Sequence, residues 1–220
     1  MDILKKTQSD YNLIAEHFSQ TRRFIWQDLR PFLKLVRPGD KVLDAGCGTG
    51  RLATALQRRK INYLGLDFSQ KQLDCGRRQN PGFDFQLADL TEAQTWQGLK
   101  DFDICFCIAV LHHLPTPDLQ LEVLRRIRAA LKKNGWLVLS VWNLWQRRFW
   151  RPHLDQLRWK INRGGRWRWL QVPYQSGPKL VVNRFYYAFT PWELKKLVKK
   201  AGFQVEKVTT GRNFFLLARS

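Results

Sequence analysis

Along residues 41–142, short apolar runs alternate with amphipathic stretches, the pattern of a parallel sheet covered by helices. Runs at Lys41–Ala45, Asn62–Asp67, Phe83–Leu87, Phe102–Ala109 and Trp136–Trp142 predict five strands. Phe102–Ala109 reads as a central strand because its apolar run is continuous. Helices are expected at about Gly50–Arg59, from a Ser69 cap to about Arg78, and along the stripe Leu121, Leu124, Ile127 and Leu131 up to Gly135. The rhythm stops over 143–184, where glycines and prolines stand at 152, 164, 165, 173, 177 and 178. It resumes at Thr190-Pro191-Trp192-Glu193, which supplies a cap, a first-turn proline and a capping-box glutamate. That helix is expected to end at Gly202, with strands at Phe203–Thr209 and Asn213–Arg219. Residues 1–220 therefore read as one α/β domain with seven mostly parallel strands and helices on both faces. Residues 143–184 are an insertion into it. Residues 1–40 form a helical cap over the sheet's ligand edge, since Tyr11, Ile14, Phe18, Phe24 and Trp26 are too apolar for a free tail.

Composition narrows the class. No run of about 18 apolar residues exists, which excludes a transmembrane helix. Met1–Lys6 lacks an apolar stretch followed by a small-residue cleavage site, so no signal peptide is expected. Cys47, Cys75, Cys105 and Cys107 show no C-x-x-C spacing and read as reduced thiols of a cytoplasmic protein, with no metal site. Charge adds a positive clue. Lys and Arg number 38 against 18 Asp and Glu, a net +20, of which residues 142–220 carry +14. Six of the ten tryptophans fall between 142 and 169. Such a field attracts polyanions.

Asp44-Ala45-Gly46-Cys47-Gly48-Thr49-Gly50 lies between a strand and a helix, where open α/β sheets bind ligands. A dinucleotide fingerprint requires Gly or Ala where this chain has Arg51. The pattern present, D-x-G-x-G-x-G, resembles the first motif of class I S-adenosylmethionine methyltransferases. That donor has no pyrophosphate to cradle. It has an ammonium that needs a carboxylate, Asp44, and a carboxylate that needs backbone N–H groups; glycines let the backbone approach. Asp67, ending the second strand, is placed to accept ribose hydroxyls, and Asp89 matches the family's residue at the adenine amino group. The resemblance implies a Rossmann-like class I methyltransferase fold with S-adenosylmethionine held by Asp44, Gly46, Cys47, Gly48, Gly50, Asp67, Phe68, Asp89, Leu90 and Ile108. On the residues alone, the acids also read as a loop aspartate and two caps.

Further segments resemble the tRNA wobble-uridine carboxymethyl methyltransferases: Tyr11–Arg22 followed by Trp26, Ile108–Leu114, Val172-Pro173-Tyr174, Arg184–Phe189 and Arg212-Asn213-Phe214. Tyr174, Ala188, Arg212 and Phe214 depart from that family's tryptophan, histidine, aspartate and tryptophan. The resemblance implies methylation of the carboxylate of a 5-carboxymethyl-type uridine in tRNA. An ionised carboxylate needs little acid–base help, so positioning and water exclusion carry the reaction. Arg22 and Arg184 are the candidate cations to orient it. Of His112 and His113, one is expected to touch cofactor or acceptor and the other to pack; Tyr186 or Tyr187 is a candidate for stacking on the base, with a core position as the alternative. Some family members act with a small zinc-binding activator on the edge strand, where Phe83, Phe85 and Leu87 share a face.

The insertion interleaves cations with rings. Arg147, Arg148, Trp150, Arg151, Arg166, Trp167 and Arg168 suit phosphates and splayed bases of a single-stranded loop. The same segment also reads as a plain lid with solvated arginines, or as a membrane-surface helix through Trp142, Trp145, Phe149 and Leu157, although Pro152 interrupts it. The leading expectation is a tRNA methyltransferase. The alternatives are a small-molecule or lipid-quinone methyltransferase, and a non-catalytic RNA-binding protein that retains the donor site.

Overall fold

The computed structural model describes residues 2–21, 24–157, 161–162, 167–176 and 179–220. Strands β1 (Lys41–Ala45), β2 (Asn62–Asp67), β3 (Asp84–Leu87), β4 (Phe102–Ile108) and β5 (Leu131–Trp142) are mutually parallel. Strands β6 (Trp169–Ser176) and β7 (Lys179–Tyr187) pair antiparallel in a separate sheet. Strands β8 (Gln204–Thr210) and β9 (Asn213–Arg219) complete a seven-stranded sheet of order β3-β2-β1-β4-β5-β9-β8, with β9 antiparallel to both neighbours.

Successive side chains of a strand point to opposite faces, and here both faces are covered. Leu43, Cys105 and Leu139 pack with Leu121 and Leu124 of one helix and with Leu194 and Val198 of another. On the other face Val42, Ile104 and Phe106 meet Leu52, Leu56 and Leu73. Among the described residues the α-helices include α1 (Ile3–Thr21), α2 (Arg30–Leu33), α3 (Arg51–Leu56), α4 (Gln70–Gln79), α5 (Pro117–Ala130), α6 (Trp150–Asp155) and α7 (Pro191–Lys200). Ser69 caps α4, and the capping box at Thr190 and Glu193 opens α7.

Two boundaries differ from the sequence reading. Helix α5 stops at Ala130 instead of Gly135, because Leu131 turns extended and pairs with Phe102, and Asn134 takes a left-handed φ of 64°. Gly135 belongs to β5, where its carbonyl accepts from the Ser220 N–H. The expected insertion runs too short at its C-terminal end: its hairpin continues through Tyr187, and Ala188 packs into the insertion's small core with Leu144, Phe149, Leu170 and Val172. Pro173 is tolerated inside β6 because a two-stranded sheet consists of edges. The first half of the expected cap is one helix, from Ile3 to Thr21. Its Ile14 packs with Tyr174 and Val182 of the hairpin.

Candidate active site

The C-terminal ends of β1, β2 and β4, together with the segment after β3, open onto one cavity, and Leu4, Thr7, Tyr11 and Phe18 of α1 cover it. This is the place where parallel sheets bind ligands. Asp44, Gly46, Cys47, Gly48, Asp67, Phe68, Asp89, Leu90 and Ile108, the candidates for the donor, all line it. Gly50 does not. A Cβ on Gly50 would sit 2.8 Å from Asn80 Nδ2 and 3.2 Å from Gly76 Cα, so this glycine serves the packing of α3 against α4.

Gly46 has φ +84°, and a Cβ there would lie 2.2 Å from Val110 Cγ2, so only glycine fits this turn. The backbone donors expected to meet a ligand carboxylate are engaged within the fold. Gly46 and Cys47 N–H donate to Leu66 O, and Gly48 N–H donates to Asp67 Oδ2 at 2.8 Å. The cation at this end of the cavity is Arg51, which lies over Trp26 at 5.2 Å. Sequence reading used Arg51 only to reject a dinucleotide motif. A second unpredicted member, Ala109, directly follows β4 with φ 60°, a strained conformation for a residue with a Cβ.

Two buried carboxyls face each other here. Burial pushes Asp44 up to about 7; the Tyr63 hydroxyl hydrogen bond and Arg51 oppose the rise, and Asp67 adds to it. Burial pushes Asp67 up to about 6 against the backbone N–H donors of Ser69 and Gly48. Asp89 accepts from Thr91 N–H and Oγ1. An ammonium beside Asp44 and hydroxyls beside Asp67 would meet these acids, so the donor set fits S-adenosylmethionine.

At the other end, Arg184 is 2% exposed yet Nε and Nη1 have no hydrogen-bond partner. Rings surround its guanidinium: Tyr174 at 5.0 Å, Tyr186 at 5.4 Å, Trp142 at 5.5 Å and Tyr11 at 6.0 Å. His112 Nδ1 accepts from the Trp142 N–H, so the neutral ring carries its proton on Nε2, which is buried without a partner. Burial first, then His113 and Arg184, holds His112 well below the usual histidine range. His113 has both nitrogens engaged: Nδ1 donates to Phe185 O and Nε2 accepts from Tyr11 Oη. Burial holds it at about 3. The two histidines differ in their bonding, His112 with an open donor and His113 locked in place. Tyr186 is fully buried and stacks on Trp142 at 5.0 Å, lining the cavity wall. Arg22 lies outside the described residues.

Arg147, Arg148, Trp150, Arg151 and Trp167 are exposed and away from the cavity lining. Arg168 pairs with Glu193 at 2.8 Å and lies over Trp145, so its charge is already engaged. Trp169 is buried, its Nε1 donating to Pro115 O. Arg166 lies outside the described residues. Trp142 ends a strand and α6 is six residues long, so the described residues form no continuous membrane-surface helix. Among them no helix is long and apolar enough to cross a membrane. Phe83 and Phe85 both pack on Tyr63, leaving Leu87 as the exposed member of their expected shared face.

Residues 17–208 match the model of a methyltransferase domain family. The chain belongs to this methyltransferase domain family. Among its relatives, the tRNA (carboxymethyluridine(34)-5-O)-methyltransferase of Saccharomyces cerevisiae is 34% identical over 136 residues, covering 62% of this chain and 47% of that protein. The ubiquinone biosynthesis O-methyltransferase of Actinobacillus pleuropneumoniae is 33% identical over 112 residues, covering 48% of this chain and 47% of that one. This chain spans less than half the length of both. Among solved structures, the CcbJ methyltransferase of Streptomyces caelestis superposes with a TM-score of 0.71 at 17% identity, covering 100% of this chain and 99% of that one. The expected class I methyltransferase fold is the fold observed.

Proposed function

We propose that this methyltransferase transfers the methyl group of S-adenosylmethionine to the carboxylate of a 5-carboxymethyl-type uridine at the wobble position of tRNA. The observation that carries the acceptor class is Arg184. A buried cation with two idle donor atoms is costly unless an anion completes it. A carboxylate accepts from a guanidinium in a fork, and His112 Nε2–H supplies a further donor facing the same cavity. A neutral hydroxyl acceptor would leave the charge unanswered.

When bound, the donor supplies an electrophilic methyl carbon on a sulfonium. Asp44 and Asp67 would hold it by its ammonium and ribose, and Arg184 and His112 would orient the acceptor carboxylate, whose oxygen would receive the methyl group while sulfur keeps the bond pair. No proton moves, so neither histidine acts as a base. Both stay neutral because burial depresses them. The chain's contribution is alignment of the two partners and exclusion of water by α1 and the aromatic wall.

The exposed Arg147, Arg148, Arg151, Trp150 and Trp167 are the surface we assign to the anticodon arm, combining phosphate neutralisation with stacking platforms. Strand β3 is an edge of the sheet with Leu87 exposed, an open position for a partner strand such as a small zinc-binding activator.

Methyl transfer from tritiated S-adenosylmethionine to total RNA, run beside a small-molecule extract and followed by nucleoside mass spectrometry, tests this reading. A base-labile methyl ester on a modified uridine is the expected product. Label confined to the organic extract overturns the tRNA assignment and favours a lipid-quinone acceptor.

A further inference from the structure

Tyr63 has no counterpart in any motif of the chain, yet it touches the cofactor end of the site from behind. Its side chain rises from β2, where it stands opposite Val42 of β1, two pairs before Asp44 and three before β1 ends. The ring is 4% exposed and packed between Phe83 at 4.8 Å and Phe85 at 5.7 Å, which leaves the hydroxyl a single direction. That hydroxyl donates to Asp44 Oδ2 at 2.7 Å, both groups buried. Asp44 lines the cavity and Tyr63 does not.

We infer that Tyr63 is a positioning residue for donor binding: it fixes the Asp44 carboxylate with one oxygen held from the core side, and it favours the ionised form that an ammonium requires. The inference rests on the reading of the cavity as an S-adenosylmethionine site.

The surroundings make the hydrogen bond matter. Asp67 at the end of β2 faces Asp44 with the same charge and opposes its ionisation. Cys47 in the glycine loop and Cys105 and Cys107 on β4 complete the shell; burial pushes all three thiols up, Cys107 to about 12, so they stay neutral. Among the described residues, Arg51 at the start of α3 is the cation that favours the carboxylate there, and Tyr63 the side chain that donates to it. Burial, then the neighbouring Asp44, keeps the Tyr63 hydroxyl protonated and so always a donor. Removing that donor leaves a buried carboxyl beside a like charge, which then holds its proton to higher pH.

The test is Tyr63→Phe, which keeps the packed ring, with affinities for S-adenosylmethionine and for methylthioadenosine measured by calorimetry from pH 6 to pH 9. Methylthioadenosine keeps the nucleoside and lacks the amino-acid part. In the variant, the pH midpoint of S-adenosylmethionine binding is expected to rise by about one to two units. The loss is then about 5-fold to 50-fold at pH 7, narrowing to about twofold or less at pH 9, with methylthioadenosine binding unchanged. An equal loss at every pH, a loss shared by methylthioadenosine, or no loss overturns the inference. A wild-type protein that binds neither compound defeats the cofactor reading instead. In that case the Asp44 carboxyl resonance of the ligand-free protein decides the local claim. It is expected to titrate near pH 7 in the wild type and at least one unit higher in Tyr63→Phe, and an unmoved titration overturns it.

Discussion

His113 accepts a 2.8 Å hydrogen bond from Tyr11, a residue 102 positions earlier in the chain, and this bond fastens α1 across the mouth of the cavity. Asn12 Oδ1 accepting from Ser69, and His17 Nδ1 paired with Tyr174 Oη at 2.6 Å, tie the same helix to α4's cap and to the hairpin. The wall that excludes water is therefore held by polar side chains drawn from three regions.

Tyr11→Phe removes the donor and leaves His113 Nε2 buried without one. The expected cost is about 1–3 kcal/mol of global stability, read as a lower urea midpoint with an unchanged slope. An unchanged midpoint would show that the helix is held by its apolar face alone.

Arg184→Met separates stability from function. The substitution deletes a buried charge with two idle donors, so the protein is expected to be at least as stable as the wild type, while methyl transfer to tRNA falls by 100-fold or more. Loss of the aromatic contacts around the guanidinium offsets part of the gain. A variant that unfolds more readily and also loses activity would point to Arg184 as a structural strut.

The raised carboxyls have a pH signature. Asp44 in the native protein keeps its proton up to about pH 7, whereas in the unfolded chain it releases it near pH 4. Across that window the native state binds more protons, so this group's contribution to stability falls as pH rises. His112 and His113 act in the opposite sense, remaining neutral in the fold while the unfolded chain takes up protons below about pH 6.5. Comparing Asp44→Asn with the wild type cancels the histidines. The ligand-free variant is expected to gain stability over the wild type progressively from pH 4 to pH 7, as measured by urea unfolding at each pH. A constant difference contradicts the assignment.

Reversing Arg147, Arg148 and Arg151 to Glu is expected to weaken tRNA binding and to lower its salt slope by about three, one per lost phosphate contact. Binding of S-adenosylmethionine stays unchanged, because none of the three lines the cavity. Equal loss of both ligands would instead indicate misfolding.

The donor half of the site was legible because its chemistry is local. Asp44, Gly46, Gly48, Asp67 and Asp89 each stand at or just after a strand end, and the apolar runs place those ends on one edge of the sheet. Even there, the free state of the loop's N–H groups was beyond reach, since Leu66 and Asp67 engage them from the neighbouring strand. The same holds for Gly50, whose motif position suggested a ligand and whose neighbours show a packing contact.

By itself the sequence determined the seven strands of the main sheet, the order of the α/β units, the glycine turn and the surplus of charge in the last third, all of which follow from periodicity and from residue chemistry within a few positions; the β6–β7 hairpin it did not. The tertiary structure alone decided the acceptor end. Tyr11 comes from α1, Trp142 from β5, Tyr174 from β6, and Arg184 and Tyr186 from β7, and their rings close around one guanidinium only when the hairpin folds under the first helix. Arg184 carried no sign in the sequence that its donors would be left idle, nor Tyr63 that it would reach Asp44. Whether a polar atom is satisfied depends on every neighbour that burial brings to it, and those neighbours lie far apart along the chain.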